Sequence, residues 1–231
     1  MDYQEFTATE LLGSLNDVEQ KLAPKLLFAA GDVSMLQRGP RVAVVGSRKA
    51  SAESLGRARK LAKLLAQRDI VVVSGLAEGI DTAAHTSALD CSGRTLAVIG
   101  TPLDEVYPKK NAKLQERLMD EQLVISQFAV GCPTQRKNFP LRNRTMALIA
   151  DATVLVEASD SSGSLSQGWE ALRLGRGLFI TQAVAKNPEL TWPKEMQHYG
   201  AIVLTDENAD YVFDDLPQRS GIPVNGGAVP F

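Results

Sequence analysis

The residues able to do chemistry collect at four turns, where small side chains meet charge. Val42-Ala43-Val44-Val45-Gly46-Ser47 closes an apolar run on a small-residue turn, and Arg48 and Lys49 follow directly before a helix-like stretch. A strand that feeds a helix through Gly46 and Ser47 aims backbone N–H groups above the turn, and the helix dipole and two full cations reinforce the positive field. Such a junction holds an anion, and adenylates, dinucleotides and nucleic-acid backbones all present phosphate. The second turn, Ser74-Gly75-Leu76-Ala77-Glu78-Gly79-Ile80-Asp81, carries Gly75 and Gly79, which permit close backbone approach or positive φ. Asp81 reads either as a cap on the following helix or as a carboxylate that orients Arg48 or a ribose hydroxyl.

The third segment, Lys137-Asn138-Phe139-Pro140-Leu141-Arg142-Asn143-Arg144, enters a helix at Pro140, where the missing N–H would be unpaired in any case. Phe139, Arg142, Asn143 and Arg144 put a ring, an amide and guanidinium groups on one edge. That mixture suits a flexible single strand, whose bases stack on rings while arginines take phosphates. Phe139 reads equally as a hydrophobic staple. In the fourth turn, from Glu157 to Leu165, Ser162, Gly163 and Ser164 form a further anion or ribose niche. Glu157 is the one carboxylate there with the position of a general base, and it reads as a structural or ligand-orienting group ahead of a catalytic one. No catalytic residue is assigned.

Composition narrows the class. The 231 residues carry a net charge of −2, with 44% hydrophobic and 23% charged residues, as in a globular α/β protein. No apolar run approaches the roughly 20 residues that span a bilayer, and Met1-Asp2-Tyr3-Gln4-Glu5 has no basic leader before an apolar core. The expectation is a cytoplasmic protein with no membrane partner. Cys91 and Cys132 are far apart and lack metal-ligand spacing, so no metal site or cofactor is expected and the thiols read as buried or idle. His85 and His198 are isolated and read as structural. The mean charge hides sorting: Arg38, Arg41, Arg48, Lys49, Arg57, Arg59, Lys60, Lys63 and Arg68 are opposed only by Glu53. Arg136, Lys137, Arg142 and Arg144 form a second basic cluster, while Asp206, Glu207, Asp210, Asp214 and Asp215 make the end acidic. A basic patch neutralises phosphate whatever the far side carries. For Arg57, Arg59, Lys60 and Lys63 the reading is a solvated helix face.

Hydrophobic period supplies the elements that carry these turns. Strands are expected at Val42–Val45, Ile70–Val73, Thr95–Ile99, Leu123–Ser126, Thr153–Val156, Leu178–Thr181 and Ile202–Leu204. Most are continuously apolar, as strands covered on both faces of a parallel sheet are. Helices are expected at Ala52–Gln67, Gly79–Cys91, Asn111–Glu121, Leu141–Ala150, Ser164–Leu174 and Pro188–Tyr199. The alternation implies a Rossmann-like, doubly wound, mainly parallel α/β sheet with helices on both faces and ligands above the carboxyl ends of the strands. The organisation reads as a helical lead-in over 1–35, a core over 36–215 and a flexible tail over 216–231.

These segments in this order resemble the DNA-processing protein A family, also called Smf. The likeness rests on Val42–Arg48, Ser74–His85, Thr95–Thr101, Val106-Tyr107-Pro108, Asn138–Arg144 and Ser162–Leu165, and covers roughly Pro24 to Thr181. It implies a non-catalytic, single-stranded DNA-binding protein that dimerises and assists loading of a RecA-type recombinase during DNA uptake. It also implies that Arg48, Lys137, Arg142 and Arg144 line a DNA pocket shaped by Gly46, Ser47, Gly75, Gly79, Asn138 and Phe139. After Gly177–Thr181 the family pattern of a Pro-Gly turn is replaced by Gln182-Ala183-Val184-Ala185, so the chain reads as the Rossmann-like core with an altered last third. Two other classes compete with this reading. A nucleotide-binding or nucleotide N-glycoside-hydrolysing protein, resembling the cytokinin-activating phosphoribohydrolases, would need a Pro-Gly-Gly-x-Gly-Thr-x-x-Glu signature. Ser161–Leu165 matches that only in part, with Glu170 out of register. A nicotinamide oxidoreductase is disfavoured, because Gly46–Ser51 is not Gly-x-Gly-x-x-Gly.

Overall fold

The structure is a computed structural model that describes residues 2–217. The expected flexible tail thus lies outside the described residues, apart from Leu216 and Pro217. The opening segment departs from the helical expectation. It forms strand β1 (Gln4–Thr7), helices α1 (Ala8–Leu12) and α2 (Asp17–Leu22), and strand β2 (Leu26–Gly31). The two helices are short, and each starts with a capping box, Thr7 with Glu10 and Asn16 with Glu19. In β2, Leu27, Phe28, Ala29 and Ala30 are all buried, as in a strand covered on both faces of a sheet.

Next come β3 (Arg41–Gly46), α3 (Ala52–Gln67), β4 (Val71–Ser74), α4 (Ile80–Asp90), β5 (Thr95–Ile99), α5 (Ala112–Glu121) and β6 (Leu123–Ser126). The chain then continues through α6 (Asn138–Ile149), β7 (Ala152–Glu157), α7 (Leu165–Arg173), β8 (Gly177–Thr181), α8 (Gln182–Ala185), α9 (Trp192–His198) and β9 (Ile202–Leu204). The helix expected over Pro188–Tyr199 therefore begins four residues late, with Pro193 in its first turn.

The sheet order is β1-β2-β6-β5-β4-β3-β7-β8-β9. From β6 to β9 every pairing is parallel, while β2 joins β6 antiparallel and β1 joins β2 antiparallel. Successive residues face opposite layers. Val42, Val44, Val72 and Val154 pack with α3 and α4, whereas Ala43, Val45, Val73 and Leu155 pack towards Met146 and Ile149 of α6 and Met196 of α9. The chain winds outward from β3 to β6, then returns to place β7 on the other flank of β3. This is a topological switch point, where a doubly wound sheet opens a crevice above its strand ends.

At the opposite ends of β3 and β7, Arg41 is 1% exposed and donates from its backbone N–H to Asp151 Oδ2 at 2.9 Å, with the side chains paired at 3.4 Å. Arg41 thus leaves the basic patch in which the sequence puts it. The acidic end does meet the basic helix: Lys60 pairs with Asp206 at 2.7 Å and Arg68 with Asp210 at 2.8 Å. Cys91 and Cys132 are both exposed, contrary to the buried reading. No described helix is long and apolar enough to cross a membrane.

Candidate functional site

A cleft of about 600 Å³ opens at the β3/β7 switch point, between the turns that follow β3, β4 and β7 and the amino end of α6. Gly46, Ser47, Arg48, Lys49, Asp81, Phe139, Arg142, Asn143, Ser162, Gly163 and Ser164 all line it, so four separate sequence segments do converge.

The junction after β3 differs from the open N–H cradle its sequence suggests. Ser47 N–H donates to Glu157 O at 2.8 Å, and Lys49 N–H donates to Ser47 Oγ at 3.1 Å. Ser51 caps α3, and its N–H and hydroxyl both donate to Glu157 Oε2, at 3.2 and 2.9 Å. The anion at this helix N-terminus is therefore the protein's own carboxylate. Partial burial by itself raises the Glu157 pKa, but the Ser54 and Ser51 hydroxyls, the Ser51 N–H and the charge of Arg57 together hold it below the usual carboxylate value. A carboxylate held ionised by donors is a cap, not a poised base. Positive charge enters the cleft instead through the exposed Arg48 side chain. Its guanidinium lies 5.4 Å from the Phe139 ring centroid and 5.9 Å from that of Tyr107, and the two rings are 5.4 Å apart. Among the described residues no carboxylate pairs with Arg48.

Phe139 is the second residue of α6 rather than a staple residue outside it; its ring edge rests on Gly100, where an added Cβ would stand 2.8 Å from Cδ1, and the ring also borders Arg48 and the cleft. Tyr107, 45% exposed, is not among the site residues the sequence singles out, although Val106-Tyr107-Pro108 stands out as a motif. An exposed aromatic beside proline is its only signal.

Arg142 corrects the expectation of a free phosphate contact. It is 6% exposed and donates to Gly75 O at 2.6 Å, Val98 O at 2.8 Å and Asn143 Oδ1 at 3.0 Å. Asn143 in turn donates to Gly163 O and Ser166 Oγ, tying α6 to the turn before α7. Arg144 points to the back of α6 and pairs with Glu170 at 3.2 Å, so it does not line the cleft. Lys137 is exposed and Asn138 buried at the start of α6, and neither lines the cleft. Asp81 neither caps α4 nor contacts Arg48. Its Oδ2 accepts from Gly75 N–H at 3.1 Å and Ala77 N–H at 3.2 Å, stapling the loop on which Arg142 sits. Burial pushes Asp81 above the usual carboxylate range, opposed by Arg142, and pushes Arg142 down, opposed by Asp81. In the fourth turn the Ser162 and Ser164 hydroxyls bond each other, and Leu165 N–H returns to Ser162 O. This turn is likewise self-satisfied.

Gly79 is the hinge between the first two turns. Its φ is +75°, and an added Cβ would meet the carbonyl oxygens of Ser47 and Arg48. Gly79→Ala is expected to cost at least about 2 kcal/mol through backbone strain and displacement of the Arg48 turn. Urea unfolding would read this as a lower midpoint at unchanged slope.

His85 sits behind Arg142. Its Nδ1 is 2.7 Å from Thr95 Oγ1, whose own proton goes to Val72 O, so Nδ1 is the donor in this bond. Burial, with the charge of Arg142 adding to it, pushes the pKa down to about 3. A depressed folded value means that below about 6.5 the unfolded chain takes a proton the native state refuses. Stability from His85 is complete above that pH and is lost as pH falls towards 3, with a slope approaching about 1.4 kcal/mol per pH unit. The raised pKa of Asp81 acts in the opposite sense. The stability gap between wild type and His85→Gln should therefore narrow from pH 7 to 4, and a constant gap would contradict this account.

The sequence profile of DNA recombination-mediator protein A matches residues 9–216. The DNA processing protein DprA of Bacillus subtilis (strain 168) is 30% identical over 197 residues, 85% of this chain and 66% of that protein. Its counterpart in Streptococcus pneumoniae (strain ATCC BAA-255 / R6) is 43% identical over 157 residues, 68% of this chain and 55% of that protein. The chain thus spans between half and two thirds of the length of these curated relatives. The solved structure of DNA processing protein A from Helicobacter pylori superposes with a TM-score of 0.78 at 25% identity, over 93% of this chain and 97% of that one.

Proposed function

The chain belongs to the DNA recombination-mediator protein A family, and from that premise we propose that it binds single-stranded DNA in the cleft above β3 and β7 without acting on it chemically. The observation that carries the reading is the exposed Arg48 guanidinium, which pairs with no carboxylate among the described residues and is set against Phe139 and Tyr107. A planar cation beside two rings offers one phosphate contact and a face on which bases stack, which a flexible single strand can use and a stacked duplex cannot. Lys49 and Lys137 add charge at its flanks. Gly46, Ser47, Gly75, Gly79, Asp81, Glu157, Arg142, Asn143 and the Ser162–Ser164 turn form the frame. DNA processing protein A from Helicobacter pylori has a single-stranded DNA binding mode, which supports the same ligand for this chain. Homodimerisation, a RecA-type recombinase as partner and a cytoplasmic location complete the proposal.

A titration of single-stranded DNA, duplex DNA and nucleoside monophosphates at two salt concentrations tests it. Single strands should bind tightest, with log affinity falling by about 0.7 per phosphate contact for each tenfold rise in salt. Binding confined to mononucleotides, with release of free base, would favour a nucleotide hydrolase instead. Glu170, turned towards Arg144 and Arg173, offers that chemistry no base in the cleft.

A further inference from the structure

A second cleft, of about 370 Å³, lies above the carboxyl ends of β8 and β9 on the side of α3. Its rim carries Arg57, Lys60 and Lys186, all exposed, and its floor is apolar, with Leu61, Leu64 and Leu204. We propose that the single strand held at Arg48 continues into this cleft, its phosphates taken by the three rim cations and a base resting on the leucine floor. The inference rests on the single-strand reading above.

Continuity and charge argue for one strand. In the sheet β7 and then β8 lie beside β3, so at about 4.8 Å per strand the ends of β3 and β8 are about 10 Å apart. Arg57 stands between the clefts. It donates to Ser54 Oγ at 2.9 Å and acts on Glu157, the carboxylate that organises the Arg48 turn. Among the described residues the one acid lining this cleft, Asp206, pairs with Lys60, but both side chains are largely exposed, at 88% and 73%, and such a pair contributes little to hold Lys60 in place. A basic rim around an apolar floor is the surface that single-stranded binders use, with cations tracking the backbone and bases covering apolar faces.

The experiment compares the whole chain with Lys60→Gln/Lys186→Gln, using oligothymidylates of about 2 and about 16 nucleotides in fluorescence anisotropy. The longer sits at the top of the range of about 4–16 nucleotides that single-strand sites occupy, and the shorter falls below it. The variant should bind the long oligonucleotide about tenfold more weakly, with a salt slope smaller by about 1.4, two contacts at about 0.7 each. Its affinity for the short one should stay within about twofold of wild type, since a dinucleotide seated at Arg48 does not bridge strand ends about 10 Å apart. Unchanged affinity for the long oligonucleotide overturns the proposal, as does an equal loss at both lengths. Failure of the wild type to bind either length rejects the single-strand reading itself, a result distinct from loss of the extension alone.

Discussion

Arg48→Ala is expected to raise the Kd for single-stranded DNA by about 10- to 100-fold while leaving the melting temperature essentially where it is. The size follows from what one side chain supplies there. A charge-assisted hydrogen bond contributes about 1.5–3 kcal/mol, and about 1.4 kcal/mol is a factor of ten in Kd. Arg48 is exposed and holds nothing together except its contact with two rings, so truncation should change stability by no more than about 0.5 kcal/mol. The salt slope should fall by about 0.7, one phosphate contact on a single strand. Arg48→Lys keeps the charge but loses the planar face, and should fall between wild type and alanine. Wild-type affinity in Arg48→Ala would remove the basis of the functional reading, because Arg142 and Arg144, the other arginines of the motifs, are committed to Gly75, Val98 and Glu170.

Arg142→Ala should act on a different quantity. A phosphate-binding arginine, when truncated, costs affinity at constant stability. Arg142 should cost about 3–5 kcal/mol of stability, because its loss leaves Asp81 buried without its compensating charge and strips donors from Gly75 O and Val98 O. Chemical denaturation would read the loss directly, and whatever DNA binding survives should scale with the folded fraction. Asp81→Asn/Arg142→Gln, which removes both charges, should recover part of the loss, since burying an unpaired charge is worse than burying none. A stable Arg142→Ala that simply fails to bind would return this residue to the ligand. Gly75 belongs to the same unit, since an added Cβ there would run into the Arg142 guanidinium.

The parallel part of the sheet was legible because its strands are buried on both faces, which writes an unbroken apolar run into the sequence at Val42–Val45 and its neighbours. The antiparallel edge was not. β1 is short and mostly exposed, so it carries little pattern, and the apolar run of β2 was overshadowed by the helical spacing of Leu11, Leu12, Leu15 and Val18 before it. Convergence of the four turns was also legible, because in a doubly wound sheet turns after parallel strands must share one edge.

What the sequence determined by itself, then, is the layered fold, the edge where the candidate cleft opens and the family. Only the tertiary structure decided which charges face that cleft. Arg48, Arg142 and Arg144 are one residue type in motifs of equal appearance, yet one is solvated beside two rings, one is buried against Gly75 and Val98, and one is paired with Glu170. Likewise the anion expected at the start of α3 is Glu157, which lies more than a hundred residues along the chain from Ser51. The physical reason is common to both. Hydrophobic period is a local property that burial imprints on neighbouring residues, whereas the fate of a charge depends on carbonyls and carboxylates brought to it from distant turns.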